Sequence, residues 1–512
     1  LKKEPLYKLL FFAVIWIAFS SASGVFQHFQ KLPMGVHQSA QCDRASLAQN
    51  YYYGGMRFFY PEVNENRCID GIVSCELPLP AFLAACSYKL FGFDEFHFRL
   101  ITFLFYSFGM FALFLLFNTR MNKTMSMALL LILQLSPILL FYGANFIPDI
   151  CSLGLAFLAW YCFFKLYIQH PFEPNTKALG MHILFVVSLG LSVAIKTTSL
   201  IQFISILGLL VFSYLPFLKI KIPQRRTLSI SLMLAFTIPL SWFLWSKYLS
   251  LTHNSQYFMM SLPHSESWDK YFEAWAVYLA NWPPQALSYP IIYIAASLLI
   301  LLVFLKKFIQ TELYFLSILN SIGSVLFLVL MIEQFKYHDY YFICLFPVFA
   351  LNWLALSDAI KKIPHRFWWI KIAIFIGVLI SLNFQFYTGR KNLEERYTEG
   401  NYWEQSHHRS ADIDSFRLKI KTLGINRNNC VLVGYDPSPN NLLYLLHLRG
   451  HRLSKDHDQN RINDVLNSSH PQYFISNDST LTQQLKTSAV QTKFLLKYKY
   501  LELYKIEYDS TQ

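Results

Sequence analysis

Apolar runs recur along this 512-residue chain, near 8–27, 98–117, 126–142, 149–168, 179–195, 198–217, 228–249, 287–305, 312–332, 340–357 and 368–387. They are about 17–22 residues long, enough to cross a hydrocarbon core of roughly 30 Å as a helix. Inside lipid every backbone polar group must be satisfied within the structure, and a helix does this residue by residue. At 54% hydrophobic and 15% charged, the composition lies outside the range of soluble domains. The expected fold class is therefore a polytopic α-helical membrane protein of about eleven transmembrane helices. A small C-terminal α/β domain follows the last run.

The formal net charge of +13 suggests a polyanion partner, but its placement speaks against one. Lys2, Lys3 and Lys8, Arg120 and Lys123, Lys219, Lys221, Arg225 and Arg226, Lys306 and Lys307, and Lys361, Lys362 and Arg366 occupy short segments that alternate in side from span to span. That is the positive-inside pattern, so no nucleic-acid partner is expected. It puts the N-terminus in the cytoplasm, with the first apolar run read as a retained span. The 28–97 and 250–286 loops and everything beyond about Phe386 then lie outside.

The unusual polar residues collect on that outer side. Asp43, Glu76, Asp149, Lys196, His264 and Tyr337-His338-Asp339 all fall in outer loops or at outer span ends. Ionisable groups at membrane depth are costly and mark a site or a paired network. Their convergence predicts one shared chamber. The period of Asp43–Tyr53 predicts a short interfacial helix ended by Gly54-Gly55, with Asp43 at its start, where an aspartate also serves as an N-cap. Cys42, Cys68 and Cys75 share the first outer loop. An oxidising compartment permits one disulfide among them, Cys68 and Cys75 being nearest.

From about residue 388 to 512 the pattern becomes that of a soluble domain. NNCVLVGYDPSPNNLLYLLHLRGHRL reads as a buried strand, a turn and a helix, PQYFISND as a second strand, and VQTKFLLKYKYLELYKIE as a closing hairpin. The GYDPSPNN turn lacks a dinucleotide-binding glycine spacing, and a lid or acceptor-docking role suits it better.

Several stretches resemble the dolichyl-phosphate-mannose protein mannosyltransferase-like membrane glycosyltransferases of the GT-C fold, whose bacterial branch includes the lipid A aminoarabinose transferases. They are HQSAQCDRASLAQNYYYGG, ELPLPAFLAACSYKLFG, IPDICSLGLAFLAW, LSVAIKTTSL and YHDYYFICLFPVFAL, in family order over about 1–350. Ser39-Ala40 stands where the family has Trp-Arg. The resemblance implies a polytopic transferase domain over 1–387, with outer loop 28–97, followed by a soluble periplasmic domain over 388–512.

The resemblance further implies transfer of a sugar from a polyprenyl-phosphate-linked donor to a lipid, a surface glycan or a protein. Such a displacement needs a base, positive charge for the departing phosphate, and exclusion of water. Asp43 is the implied base, and Asp149, the second catalytic candidate, either helps to bind acceptor or sugar or pairs with Lys196. Lys196 is the candidate phosphate clamp, with Tyr337 and Tyr340 as further donor-phosphate ligands; interfacial aromatic belting explains the tyrosines equally well. Glu76 and His264 are expected to orient the acceptor or to hold a divalent metal. No cofactor is otherwise required. Membrane lipids are the remaining partners, and a bacterial inner membrane is the expected location. A transporter or flippase of a lipid-linked sugar, or a non-enzymatic membrane sensor with a ligand-binding tail, are the alternatives.

Overall fold

The structure, a computed structural model, describes residues 3–66, 70–169, 176–255, 267–288, 292, 300–398, 410–436, 438–453, 459–488 and 490–508. Among them, eight helices are long and apolar enough to cross a membrane: Glu4–Ala22, Glu95–Phe117, Asp149–Gln169, Ala178–Ile195, Arg225–Thr252, Thr311–Leu330, Asp339–Lys361 and Trp368–Arg396. The chain is a multi-pass membrane protein. Outer helices such as Trp368–Arg396, with only 6% of its most apolar window buried, present Ile372, Ile376, Leu379 and Phe384 outward. A face so apolar and exposed is stable only against lipid.

Eight of the eleven expected spans thus coincide with long helices, and the other three differ in instructive ways. The 126–142 run is two helices, Lys123–Gln134 and Pro137–Tyr142. Pro137 ends the first because its ring fits only the opening turn of a new helix. The 198–217 run yields a shorter apolar helix over Thr197–Phe212. Most of 287–305 lies outside the described residues.

The chain forms two compact units. The first comprises Leu1–His28, Thr102–Trp245 and Met260–Glu394 and is the helical bundle. One close seam joins the Glu95–Phe117 and Asp149–Phe163 helices: a methyl group added to Gly109 would lie 2.2 Å from the Gly154 Cα. Small residues at such a crossing let two membrane helices touch backbone to backbone.

The second unit comprises Phe29–Ile101, Ser246–Met259 and Glu395–Gln512. Its five-stranded sheet has the order β2-β1-β3-β5-β4, with β1 Cys430–Tyr435, β2 Arg449–Leu453, β3 Tyr473–Ser476, β4 Gln491–Tyr498 and β5 Leu501–Glu507. β1 is parallel to both β2 and β3, and β4–β5 is the expected hairpin. Val431, Leu432 and Val433 are fully buried, as a strand covered on both faces requires. β2 is the element that the sequence did not suggest. Its Gly450 leaves the Val431 carbonyl only 1.8 Å from where a Cβ would sit, so only glycine fits. Residues of the 28–97 stretch extend that edge: Gly450 N donates to the Asn64 carbonyl at 3.1 Å, and Asn66 N to the Gly450 carbonyl at 3.1 Å.

Candidate active site

Asp43 lies in a helix that runs from Gln38 to Tyr53, a turn and a half before the expected start. It is therefore no N-cap. That place belongs to His37, which adopts a left-handed conformation at φ 59°. The opening turn is polar yet buried. Gln38 donates to the Pro33 carbonyl and Gln41 to the Met34 and Val36 carbonyls, satisfying backbone groups of the approaching chain. Nor does the helix lie on a surface, because ten of its residues are buried within its unit. Its end is as expected, with Gly55 left-handed at φ +85°.

The Asp43 carboxylate is met by the loop that follows β1. Its Oδ1 accepts from Ser438 Oγ at 3.0 Å and from Asn440 Nδ2 at 2.9 Å. Asn440 cannot present its amide the other way round, since its Oδ1 accepts the Glu65 backbone N–H at 2.9 Å. Among the described residues, no side chain or backbone group donates a hydrogen bond to Oδ2. Burial raises the Asp43 carboxyl above its ordinary value. The Asn440 and Ser438 hydrogen bonds and the Arg44 and Arg452 charges oppose that rise.

A second aspartate shapes this loop. Asp436 is fully buried, and its carboxylate accepts the Leu442 N–H at 2.7 Å and the Ser438 N–H at 3.2 Å. Arg452 donates to the Asp436 carbonyl at 2.8 Å. Burial, with a smaller contribution from the Asp43 charge, pushes the Asp436 carboxyl up to about 7. The loop leaves the carboxyl end of β1, which has β2 on one side and β3 on the other. Such reversals of strand order are where open α/β sheets leave a crevice for a ligand. Ser438, Asn440 and Asp436 surround this candidate site and were not singled out from the sequence. The GYDPSPNN turn was the available signal.

Glu76 forms an ion pair with Arg44, Nη2 to Oε2 at 2.6 Å, with both side chains largely buried. Glu76 is the carboxylate expected to hold a metal or orient an acceptor, and Arg44 sits against one of its two oxygens. His264 lies outside the described residues. Among the described residues, no three His, Cys, Asp or Glu side chains cluster as metal ligands. Cys75 is a buried thiol in no disulfide, which excludes the Cys68–Cys75 bridge, while Cys430 is disulfide-bonded. Cys68 is outside the described residues.

In the helical bundle, Asp149 opens the Asp149–Phe163 helix, where free N–H groups and the helix dipole favour a carboxylate. Lys196 sits in extended backbone between the Thr176–Ile195 helix and a single turn over Thr197–Ser199. Its Nζ is 3.7 Å from Asp149 Oδ2, and both side chains are buried. The ammonium also lies 5.3 Å from the Tyr341 ring centre and 5.9 Å from that of Tyr340. Tyr142 donates to Asp339 Oδ1 at 2.6 Å and meets Tyr340 edge-on. Asp149, Lys196 and Tyr340 are thus brought together as expected, with Tyr341, Asp339 and Tyr142 added. Tyr337 is not among them. It is 61% exposed and its ring faces Lys336 at 5.3 Å. The stretch around Trp275 forms a helix, Trp268–Asn281, which packs Tyr278 on Phe335.

The long spans and the C-terminal sheet form a GT-C type fold. Residues 76–245, about a third of the chain, match the family model of dolichyl-phosphate-mannose-protein mannosyltransferase. Among solved structures, the chain is similar to ArnT from Cupriavidus metallidurans, known in the apo state and bound to undecaprenyl phosphate. The TM-score is 0.65 at 12% identity, over 97% of each chain. It is also similar to the Archaeoglobus fulgidus oligosaccharyltransferase in complex with Zn and sulfate, with TM-score 0.51 at 10% identity over 96% of this chain and 72% of that one. For the arabinofuranosyltransferase AftD from Mycobacteria, the values are 0.50 and 10%, over 98% and 40%. Compared with curated proteins by sequence, the chain has no match.

Proposed function

We propose that this protein transfers a sugar from a polyprenyl-phosphate donor to a hydroxyl acceptor at the outer face of a bacterial inner membrane. The observation that carries the reading is the Asp43 carboxylate, with Oδ1 fixed by Ser438 and Asn440 and Oδ2 left for an incoming hydroxyl. A base works best when its proton affinity approaches the working pH, and burial moves Asp43 in that direction. Asp43 takes the acceptor proton as the acceptor oxygen forms its bond to the anomeric carbon. The bond from that carbon to the phosphate oxygen breaks, and polyprenyl phosphate leaves with the electron pair. The attack inverts the anomeric centre.

The growing charge on the phosphate calls for a fixed cation. Lys196 supplies it, because its ammonium is already desolvated and oriented by Asp149 and the two tyrosine rings. The acceptor is a lipid, a surface glycan or a protein hydroxyl. The test is turnover by the purified chain with undecaprenyl-phosphate sugars, together with mass spectrometry of surface lipids, glycans and proteins from cells with and without the gene. An acceptor that gains one sugar mass with the wild-type chain and none with Asp43→Asn supports the reading. Equal labelling by that variant overturns it, and so does movement of lipid-linked sugar without transfer.

A further inference from the structure

We propose that the helical bundle binds an anionic phospholipid at the face carrying its N-terminus, with the headgroup in a basic cleft and the acyl chains in an adjoining apolar groove. The cleft, about 510 Å³, is lined by Lys8, Arg120, Lys165 and Lys361, with Asn118 and Gln310. The groove, about 800 Å³, is lined by residues such as Leu129, Ile132, Leu301, Trp353, Ile374 and Phe375. Arg120 and Lys361 line both, so the two spaces meet at a pair of cations. An ordinary water-filled cleft has no such apolar continuation. A soluble anion would not use one.

The charges of the cleft are not balanced. Arg120 is held by Asp358 at 3.0 Å and Gln310 at 2.5 Å, and Lys8 by the exposed Glu4 at 2.8 Å. Lys165 and Lys361 have no acidic partner among the described residues. Lys165 and Gln169 come from a π-helical turn, Phe164–Gln169, that widens the end of its span. Such insertions recur where a helix has a task besides spanning. In the groove, a methyl group added to Gly377 would meet nothing within 4 Å, so there is room for a chain. By its basic loops this face is the cytoplasmic one, where acidic lipids gather and basic pockets between spans take their headgroups.

The experiment is native mass spectrometry of the full-length, delipidated protein, titrated with phosphatidylglycerol, phosphatidylethanolamine of the same chains, or glycerol phosphate. The expected result is one phosphatidylglycerol bound roughly tenfold or more tightly than phosphatidylethanolamine, with no glycerol phosphate retained. Lys165→Gln with Lys361→Gln should reduce phosphatidylglycerol to the phosphatidylethanolamine level. Gly377→Phe, which fills the groove and leaves the cations in place, should weaken both lipids. Equal affinity for the two lipids, undiminished binding by the double variant, or glycerol phosphate held as well as lipid would each overturn the proposal. Neither lysine belongs to the transfer machinery, so these outcomes are independent of the activity measured above.

Discussion

Asn440 donates its side-chain amide to Asp43 at 2.9 Å, although 397 positions of sequence separate the two. The contact joins the Gln38–Tyr53 helix to a loop of the C-terminal sheet, within one compact unit. It makes C-terminal residues part of the immediate surroundings of Asp43.

Asp43→Asn keeps the shape of the side chain and removes its ability to accept a proton. Turnover should fall by about 10²–10⁴-fold, the usual contribution of a positioned base. Membrane insertion and the thermal transition of the purified protein should be close to wild type. A loss of less than tenfold in single-turnover rate would remove Asp43 from the base role.

Asn440→Asp replaces a donor by an acceptor facing Asp43, while the Oδ1 that receives the Glu65 N–H is retained. The bond now holding the Asp43 carboxylate lowers its proton affinity, so its loss, together with a neighbouring negative charge, should raise that affinity further. The acid limb of the rate–pH profile should move to higher pH. At pH well above the limb the rate should recover most of its value. A profile lowered uniformly, without lateral movement, would make Asn440 merely structural.

Asp436 gives a prediction about stability. Its folded value of about 7 lies above the ordinary carboxylate value near 3.8. The folded state therefore binds more protons than the unfolded one between those limits, and stability should fall as pH rises from about 4 to about 7. Asp436→Asn should flatten that slope. It should also loosen the 438–442 loop, since an amide cannot accept both the Leu442 and Ser438 N–H groups. Thermal melting as a function of pH, with hydrogen exchange of those two amides, measures both effects.

Lys196→Gln would leave Asp149 buried without its neighbouring ammonium. Breaking a buried pair by removing one partner typically costs about 3–5 kcal/mol. Adding Asp149→Asn should recover much of the stability but none of the turnover, because the donor phosphate still lacks its cation. Denaturation midpoints in detergent and single-turnover rates check the two halves separately. Recovery of both would reduce the pair to a packing element.

The membrane class was legible because lipid imposes a strict length and hydropathy on each span. The break at Ser136-Pro137 was written in the proline but hidden by the unbroken apolar text around it. The early turn of the Asp43 helix was hidden for the opposite reason: Gln38 and Gln41 are polar, yet fully buried by bonds to backbone carbonyls, so the apolar period began too late. β2, with the text RGHRL, resembles a polar loop and becomes a strand only by pairing with β1. Lys196 and Asp149 could be placed on the same side of the membrane from topology alone. Ser438 and Asn440 could not be paired with Asp43, because that contact exists only once the sheet is built.

The glycine-on-glycine crossing at Gly109 and Gly154 limits how this bundle can move. Two helices that touch through main-chain atoms cannot slide by a residue or roll on their axes without driving Phe105 or Tyr106 into the opposing backbone. The span that begins at Asp149 is therefore locked in register with its neighbour. Any rearrangement of the bundle has to turn around that pair rather than pass through it.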